Sequence, residues 1–246
     1  MTGAIIQARM SSTRLPGKVL LPLARKPVLF HVVERVKAAK RLDRVIVATS
    51  TEQEDDTIKA FCKERGYDCF RGSRDDVLSR YAGAAKQYKL DTVVRITSDC
   101  PLIDPFIVDQ TIAAFESAHC DYISNVLPGE RTFPRGLDCE VFSRAALEKA
   151  DTQARKPYQR EHVTPYVHEN KTREFVIGPQ VNASGAYARP QFRLTLDYPE
   201  DYELLAKLYD VFYKEGTIVS TEKVLAYLDA HPEIAALNAH CVQKTA

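Results

Sequence analysis

Three cations punctuate one short stretch near the start of the chain, Gln7-Ala8-Arg9-Met10-Ser11-Ser12-Thr13-Arg14-Leu15-Pro16-Gly17-Lys18. Arginine grips phosphate oxygens through two parallel N–H donors and lysine adds a point charge. Arg9, Arg14 and Lys18 among small and hydroxylated residues therefore suit a polyanion. The stretch follows a short apolar run, and open α/β sheets place ligands just past their strands. It is neither a Walker A loop, since Ser12 stands where the first glycine belongs and Val19 follows the lysine, nor a G-x-G-x-x-G turn. An ordinary solvated loop is the alternative, and charge spacing alone tips the balance only slightly toward phosphate.

Two carboxylates far apart in sequence form the second candidate constellation. Asp99 falls just past the β-branched run Thr92-Val93-Val94-Arg95-Ile96-Thr97, and Asp197 ends the alternating run Phe192-Arg193-Leu194-Thr195-Leu196-Asp197. Two parallel strands near a sheet centre would let both side chains meet on one hard cation, and Mg²⁺ takes one or two carboxylates plus phosphate oxygens and waters. Taken singly, each has a plainer reading: Asp99 as a turn before Pro101, Asp197 as a cap for a helix opening at Pro199. Asp104, ahead of Pro105, reads as an N-cap.

The elements that must position these residues follow a regular rhythm. Thr2 to Ala8, Arg44 to Thr49 and Thr92 to Thr97 read as strands. Helices are expected from Pro27 to about Ala39, from Asp55 or Asp56 to Gly66, after the Asp75-Asp76 cap, and from Pro105. Alternation of this kind predicts a doubly wound, mostly parallel α/β sheet covered on both faces. From about 120 to 190 the rhythm breaks into turn-prone clusters (Pro128-Gly129, Pro134-Arg135-Gly136, Gly178-Pro179, Ser184-Gly185), short strands and one helix near Gln159 to Glu169. That segment is expected as an irregular α+β insertion, a subdomain packed on the sheet of a single domain spanning 1–246. Helices from Pro199 to Tyr213 and Ser220 to Leu228 close the chain.

Composition excludes several classes. With 34 Lys+Arg against 33 Asp+Glu the 246 residues carry a formal charge of +1, and 45% are hydrophobic. Disorder, collagen and coiled coil do not fit those values, and a bulk nucleic-acid binder would be strongly basic. The opening apolar stretch is too short for a signal peptide, and no run reaches the ~20 residues of a bilayer span. Cys62, Cys69, Cys100, Cys120, Cys139 and Cys241 include no C-x-x-C pair, so a reduced, cytoplasmic protein without a thiolate metal site is expected. His162 and His168 would sit roughly 120° from a shared helix face, which argues against a zinc pair. No G-x-S-x-G elbow suggests a serine hydrolase.

Arg9-x4-Arg14-Leu15-Pro16-Gly17-Lys18 after a short apolar strand resembles the signature of the CMP-sugar synthetases, and the chain is most similar to their spore coat polysaccharide branch. The matches continue in order through Arg71-Gly72-Ser73-Arg74-Asp75-Asp76-Val77-Leu78, Arg95 to Pro105, Arg160-Glu161-His162-Val163-Thr164-Pro165 and Arg193 to Asp197. The resemblance implies a Rossmann-like nucleotidyltransferase fold and transfer of CMP from CTP to a hydroxyl of an acidic sugar, with release of pyrophosphate. It implies phosphate roles for Arg9, Arg14 and Lys18 and makes Asp99 and Asp197 Mg²⁺ ligands rather than caps. It also implies a homodimer formed through the irregular segment. Two departures stand out: Ser98 replaces a glycine common before the aspartate, and Thr195-Leu196-Asp197 lacks the D-x-D of the sialic acid branch, leaving fewer ligands for a second metal.

On this reading the Ala8 backbone and the Arg71-Gly72-Ser73 turn would receive the base, although a plain turn before the Asp75-Asp76 cap fits the latter equally. Arg95, Arg131, Arg135, Asp138, Arg160, Glu161 and His162 are the polar candidates for an acidic acceptor. Arg95 leads them as an outward residue on the strand approaching Asp99; a salt bridge on the sheet rim is its other reading. Glu161 and His162 fit a sugar contact and a helix-surface pair alike. The competing functions are a metal-dependent nucleotide-sugar glycosyltransferase, which would carry D-x-D near Asp99, and a non-catalytic nucleotide-binding module.

Overall fold

Apolar residues alternate along the first strand, and the computed structural model, which describes residues 1–126 and 131–243, packs the two sets into separate cores. Strand β1 (Thr2–Gln7) sends Ala4 and Ile6 to one face and Ile5 to the other. It is followed by a two-residue hairpin, β2 (Pro22–Leu23) and β3 (Lys26–Pro27), then α1 (Val28–Lys37), β4 (Arg44–Ser50), α2 (Asp56–Arg65), β5 (Asp68–Gly72), α3 (Val77–Gln87), β6 (Thr92–Thr97) and α4 (Pro105–Ala118). The second half contributes β7 (Tyr122–Ser124), β8 (Glu140–Ser143), α5 (Arg144–Gln153), α6 (Pro157–His162), α7 (Pro165–Glu169), α8 (Pro199–Phe212), α9 (Thr221–Ala230) and the single turn α10 (Pro232–Ala235).

The six-stranded sheet runs β5-β4-β1-β6-β8-β7. Its first four strands are parallel, and β8 and β7 join antiparallel. One core holds α1, α4, α8 and α9 against the sheet; the other holds α3, α5 and residues of α7. This is the expected mixed α/β fold with a mostly parallel sheet. The strands expected at 2–8, 44–49 and 92–97 and the helices after Pro27, Asp76, Asp104, Pro199 and Ser220 all form. Asp104 caps α4 as expected, accepting from the Phe106 amide at 2.8 Å.

The differences have local causes. Segment 68–72 forms β5, a half-buried edge strand whose sequence Asp-Cys-Phe-Arg-Gly shows no apolar alternation. An edge strand buries too little of either face to leave that signature. The helix expected at 159–169 splits into α6 and α7 at Val163, which takes φ +72°. Pro165 opens α7 and has no N–H to continue the α6 ladder. Residues 120–190, expected as an inserted subdomain, supply β7 and β8 to the sheet itself and α5 to one face. Their Pro128-Gly129 turn lies outside the described residues.

The largest correction concerns Phe192–Asp197, which is extended but is not a strand of the sheet. Its alternation reflects Leu194 and Leu196 entering the core while Arg193, Thr195 and Asp197 face the other way. Leu194 N donates to Arg135 O (2.7 Å) and Leu196 N to Asp99 O (2.8 Å), so main-chain bonds stitch the segment to the Pro134-Arg135-Gly136 turn and to the turn past β6. Gly136 permits this approach. Its φ is +98°, and a Cβ there would lie 2.5 Å from the Leu194 carbonyl carbon. Among the described residues, no helix is long and apolar enough to cross a membrane.

Candidate active site

The carboxyl ends of β1, β4 and β6 lie side by side, and a loop leaves each of them. The loop after β1 carries the three cations. Its shape depends on Asp55, fully buried, whose carboxylate accepts from the Met10 amide (2.7 Å) and from both the amide and hydroxyl of Ser50 (3.1 and 2.5 Å). Asp55 therefore ties the basic loop to the end of β4 instead of capping α2; it makes no cap bond to that helix. The loop closes with Gly17 N donating to Met10 O (3.0 Å), and Gly17 adopts φ +70°, a left-handed conformation that glycine takes at little cost. Lys18 is thereby turned inward.

Lys18 Nζ meets both predicted aspartates. It lies 2.9 Å from Asp99 Oδ2, 2.9 Å from Asp197 Oδ1 and 2.6 Å from the Leu196 carbonyl. Arg14 Nη2 reaches the same Asp197 oxygen at 2.7 Å and its guanidinium lies over the Tyr198 ring, 4.9 Å from the centroid. The other Asp197 oxygen accepts from Arg193 Nη2 at 3.0 Å. Thr97 Oγ1 donates to Asp99 Oδ1 at 2.6 Å. Burial alone would raise the Asp99 pKa, but the Lys18 ammonium and the Thr97 hydroxyl outweigh it and hold the carboxyl at about 2. Burial would likewise lower Lys18, yet Asp99 and Asp197 push its pKa above the ordinary lysine value. Both charges are thus firmly set at neutral pH.

Further out, Arg9 Nη2 lies 3.8 Å from Glu161 Oε1, both side chains substantially exposed. Arg135, half-buried, forms no ion pair or side-chain hydrogen bond among the described residues; burial and the neighbouring Arg131 lower its pKa, while Asp138 and Asp197 oppose that. Burial also depresses the His162 imidazole. Of the sequence-predicted polar groups, Lys18 and Arg14 meet the two aspartates, Arg135 feels the Asp197 charge, and Arg9 pairs loosely with Glu161.

Several other predicted residues are committed to the fold. Arg95 is not an open rim cation: it pairs with Glu140, which also accepts from Tyr122 Oη (2.7 Å) and Thr164 Oγ1 (2.6 Å). Arg71 binds the Ser50 and Glu52 carbonyls and Asp56, bracing the loop after β4. Gly72 ends β5 with its carbonyl accepting from Thr51 N, and Ser73 caps the Asp76 amide. The Ala8 amide donates to Ala48 O within the sheet (3.0 Å). Asp138 is held by Arg131 at 2.6 Å, and Arg160 clamps Asp76 to Asp151.

Sequence reasoning gave no site role to Arg193, Asp201 or Asn238 and read Asp55 only as a helix start. Asp201 is fully buried and accepts from Arg193 Nε (2.8 Å), the amides of Asp197 (2.9 Å) and Tyr198 (3.0 Å), and Asn238 Nδ2 (2.7 Å). An acidic residue at the third position of a helix is the usual sign of a capping box, so half of its role was readable. The other half depends on Arg193 crossing to it.

A parallel α/β sheet that gathers a cationic loop and two aspartates at its carboxyl edge has the build of a nucleotidyltransferase. The chain belongs to the cytidylyltransferase family, whose model matches residues 3–225. It is 38% identical over 98% of its length to an uncharacterized protein of Methanocaldococcus jannaschii, covering 96% of that protein. It is 35% identical to the spore coat polysaccharide biosynthesis protein SpsF of Bacillus subtilis, with 94% and 95% of the two chains aligned. A solved cytidylyltransferase from Leptospira borgpetersenii superposes with a TM-score of 0.84 at 36% identity, covering 100% of this chain and 98% of the other. The CMP:2-keto-3-deoxy-manno-octonic acid synthetase complexed with CTP shares the fold, with a TM-score of 0.64 at 19% identity over 85% and 98% of the chains.

Proposed function

We propose that the protein transfers CMP from CTP to a hydroxyl of an acidic sugar and releases pyrophosphate. The observation that carries this reading is the convergence of Asp99 and Asp197 on the single point now bridged by Lys18, with Arg14 alongside. Two hard oxygen donors on one point fit a Mg²⁺ ion that completes its shell with phosphate oxygens. Buried polar atoms without partners among the described residues support a bound nucleotide. Ser11 Oγ and Thr49 Oγ1 sit beside the two segments that Asp55 ties together, and Arg80 Nε belongs to a guanidinium that feels the Asp55 and Arg9 charges. Buried groups of this kind normally find a partner.

In the reaction, the acceptor oxygen bonds to the α-phosphorus, the bond to the pyrophosphate oxygen breaks, and the hydroxyl proton passes to solvent water. Lys18 and Arg14 exchange their carboxylate partners for phosphate oxygens and so stabilise the charge that gathers on the departing pyrophosphate. Arg9, weakly held by Glu161, adds a third phosphate contact. Arg135, with no carboxylate in contact among the described residues, pairs with the carboxylate of the acceptor. Asp99 and Asp197 would hold a Mg²⁺ ion, which would supply charge neutralisation and lower the acceptor hydroxyl's pKa. The acceptor belongs to the ulosonic or nonulosonic acid type.

Pyrophosphate release, screened with each nucleoside triphosphate against a panel of acidic sugars, tests the reading. Release with CTP and at least one acidic sugar, abolished by chelator and by Asp99→Asn, is expected. CTP binding without release from any acceptor would instead mark a nucleotide-binding module, and sugar transfer from a UDP-sugar would mark a glycosyltransferase.

A further inference from the structure

Residues 226–243 lie beyond the stretch that the family model matches, yet they return to the active site. After α10 the chain turns at Ala236–Asn238 and runs past the segment that carries Asp197. Asn238 is buried; its Nδ2 donates to Asp201 Oδ1 (2.7 Å) and to the Arg193 carbonyl (3.0 Å). Gln243 Oε1 accepts from Arg193 Nη1 at 2.9 Å, and the Val242 carbonyl accepts from Tyr198 Oη at 3.1 Å. Each of these contacts lands on Arg193, on Asp201, which orients Arg193, or on Tyr198, which lies beneath Arg14.

The arrangement matters because the Asp197 carboxylate has, among the described residues, three side-chain partners that behave differently. Lys18 and Arg14 both hold Oδ1, and both are cations that a triphosphate competes for. Arg193 holds Oδ2 and is fixed by Asp201 and the 238–243 segment. When phosphate draws Lys18 and Arg14 away, Arg193 remains as the side chain holding Asp197. A carboxylate held at one oxygen by a braced guanidinium presents its other oxygen in a defined direction, whereas an unbraced one samples several rotamers.

We infer that residues 238–243 form a positioning clamp that, through Arg193, keeps Asp197 aimed at the cation accompanying the triphosphate. The inference rests on the reading of Asp197 as a Mg²⁺ ligand. Asn238 and Gln243 are positioning residues and touch no substrate.

Calorimetric titration of CTP, in Mg²⁺ and separately in EDTA, tests the clamp with two variants. One is Asn238→Ala; the other is a chain stopping after Cys241, which lacks Val242 and Gln243 but keeps Asn238. Each variant loses two of these hydrogen bonds, which is expected to weaken CTP binding in Mg²⁺ by about tenfold, and binding in EDTA by less than about twofold. Equal affinities for variants and wild type, or equal losses with and without Mg²⁺, overturn the clamp while wild-type CTP binding leaves the functional reading standing. A wild-type protein that binds CTP equally well in Mg²⁺ and in EDTA removes the metal reading instead, and the clamp with it.

Discussion

At the scale of single residues, the site is organised around a largely buried ion cluster. Lys18 neutralises two carboxylates that would otherwise repel each other, and its own pKa is raised by them. Removing one partner of a largely buried ionic cluster leaves the others uncompensated. Lys18→Ala should therefore lower stability by about 3 kcal/mol in metal-free buffer, read from urea unfolding. It should also reduce the rate of pyrophosphate release by about a hundredfold or more, as expected for loss of a group facing transition-state charge. Because a divalent cation can take over the ammonium's place between Asp99 and Asp197, millimolar Mg²⁺ should raise the variant's Tm more than the wild type's. Equal Mg²⁺ responses would count against a metal at these aspartates. The proton linkage follows the same logic. Asp99 is held at about 2, below the ordinary carboxylate value of 3.8, so its contribution to stability is complete above that value and fades as pH falls toward 2. Lys18→Ala should remove much of that acid-side loss.

At the scale of elements, two features carry consequences that simple patterns do not. The Pro134-Arg135-Gly136 turn touches the 193–195 backbone so closely that Gly136 has no room for a side chain, and its φ of +98° strains any other residue. Gly136→Ala should cost about 2–4 kcal/mol by pushing the two segments apart, measurable by urea unfolding; a loss below 0.5 kcal/mol, on the order of an ordinary surface change, would refute the close approach. Helix α1 carries His31 inward, where its Nε2 donates to Leu23 O at 2.8 Å and its ring packs on Tyr209 and Tyr213. Burial, aided by Arg35 and Lys26, holds its pKa down at about 4 from 6.5. The unfolded chain binds the proton more readily, so this histidine's stabilisation is complete above pH 6.5 and is lost as pH falls to 4, by about 3 kcal/mol in all. His31→Phe should flatten the stability profile across that window. These elements also show what sequence could disclose. The strands and helices with two-sided or one-sided apolar faces were legible, as was the convergence of Asp99 and Asp197. Segment 192–197 misled because alternation reports which side chains are buried, not whether a neighbouring strand exists. Arg95 and Arg71 misled for a related reason: an arginine's type does not reveal that Glu140 or three oxygens near Ser50 already hold it.

At the scale of the whole molecule, a formal charge of +1 conceals a strongly charged interior edge. Arg14, Lys18 and Arg193 face Asp99, Asp197 and Asp201 in one connected network, drawn from the loop after β1, the turn after β6, the 192–197 segment and α8. The 238–243 segment adds its hydrogen bonds to the same network. Substrate binding therefore acts on several elements at once, and its free energy should appear as stability of the entire fold. A ligand that binds only the native state at about 100 times its Kd adds about 2.7 kcal/mol. For a chain of this size each kcal/mol moves Tm by about 2–4 °C, so saturating CTP with Mg²⁺ should raise Tm by about 5–10 °C. CTP in chelator should give a smaller rise, because the charges of Asp99 and Asp197 would then face the triphosphate unscreened. A UTP-induced shift as large as that of CTP would contradict cytidine selectivity, and an equal CTP shift with and without Mg²⁺ would separate nucleotide binding from the two aspartates altogether.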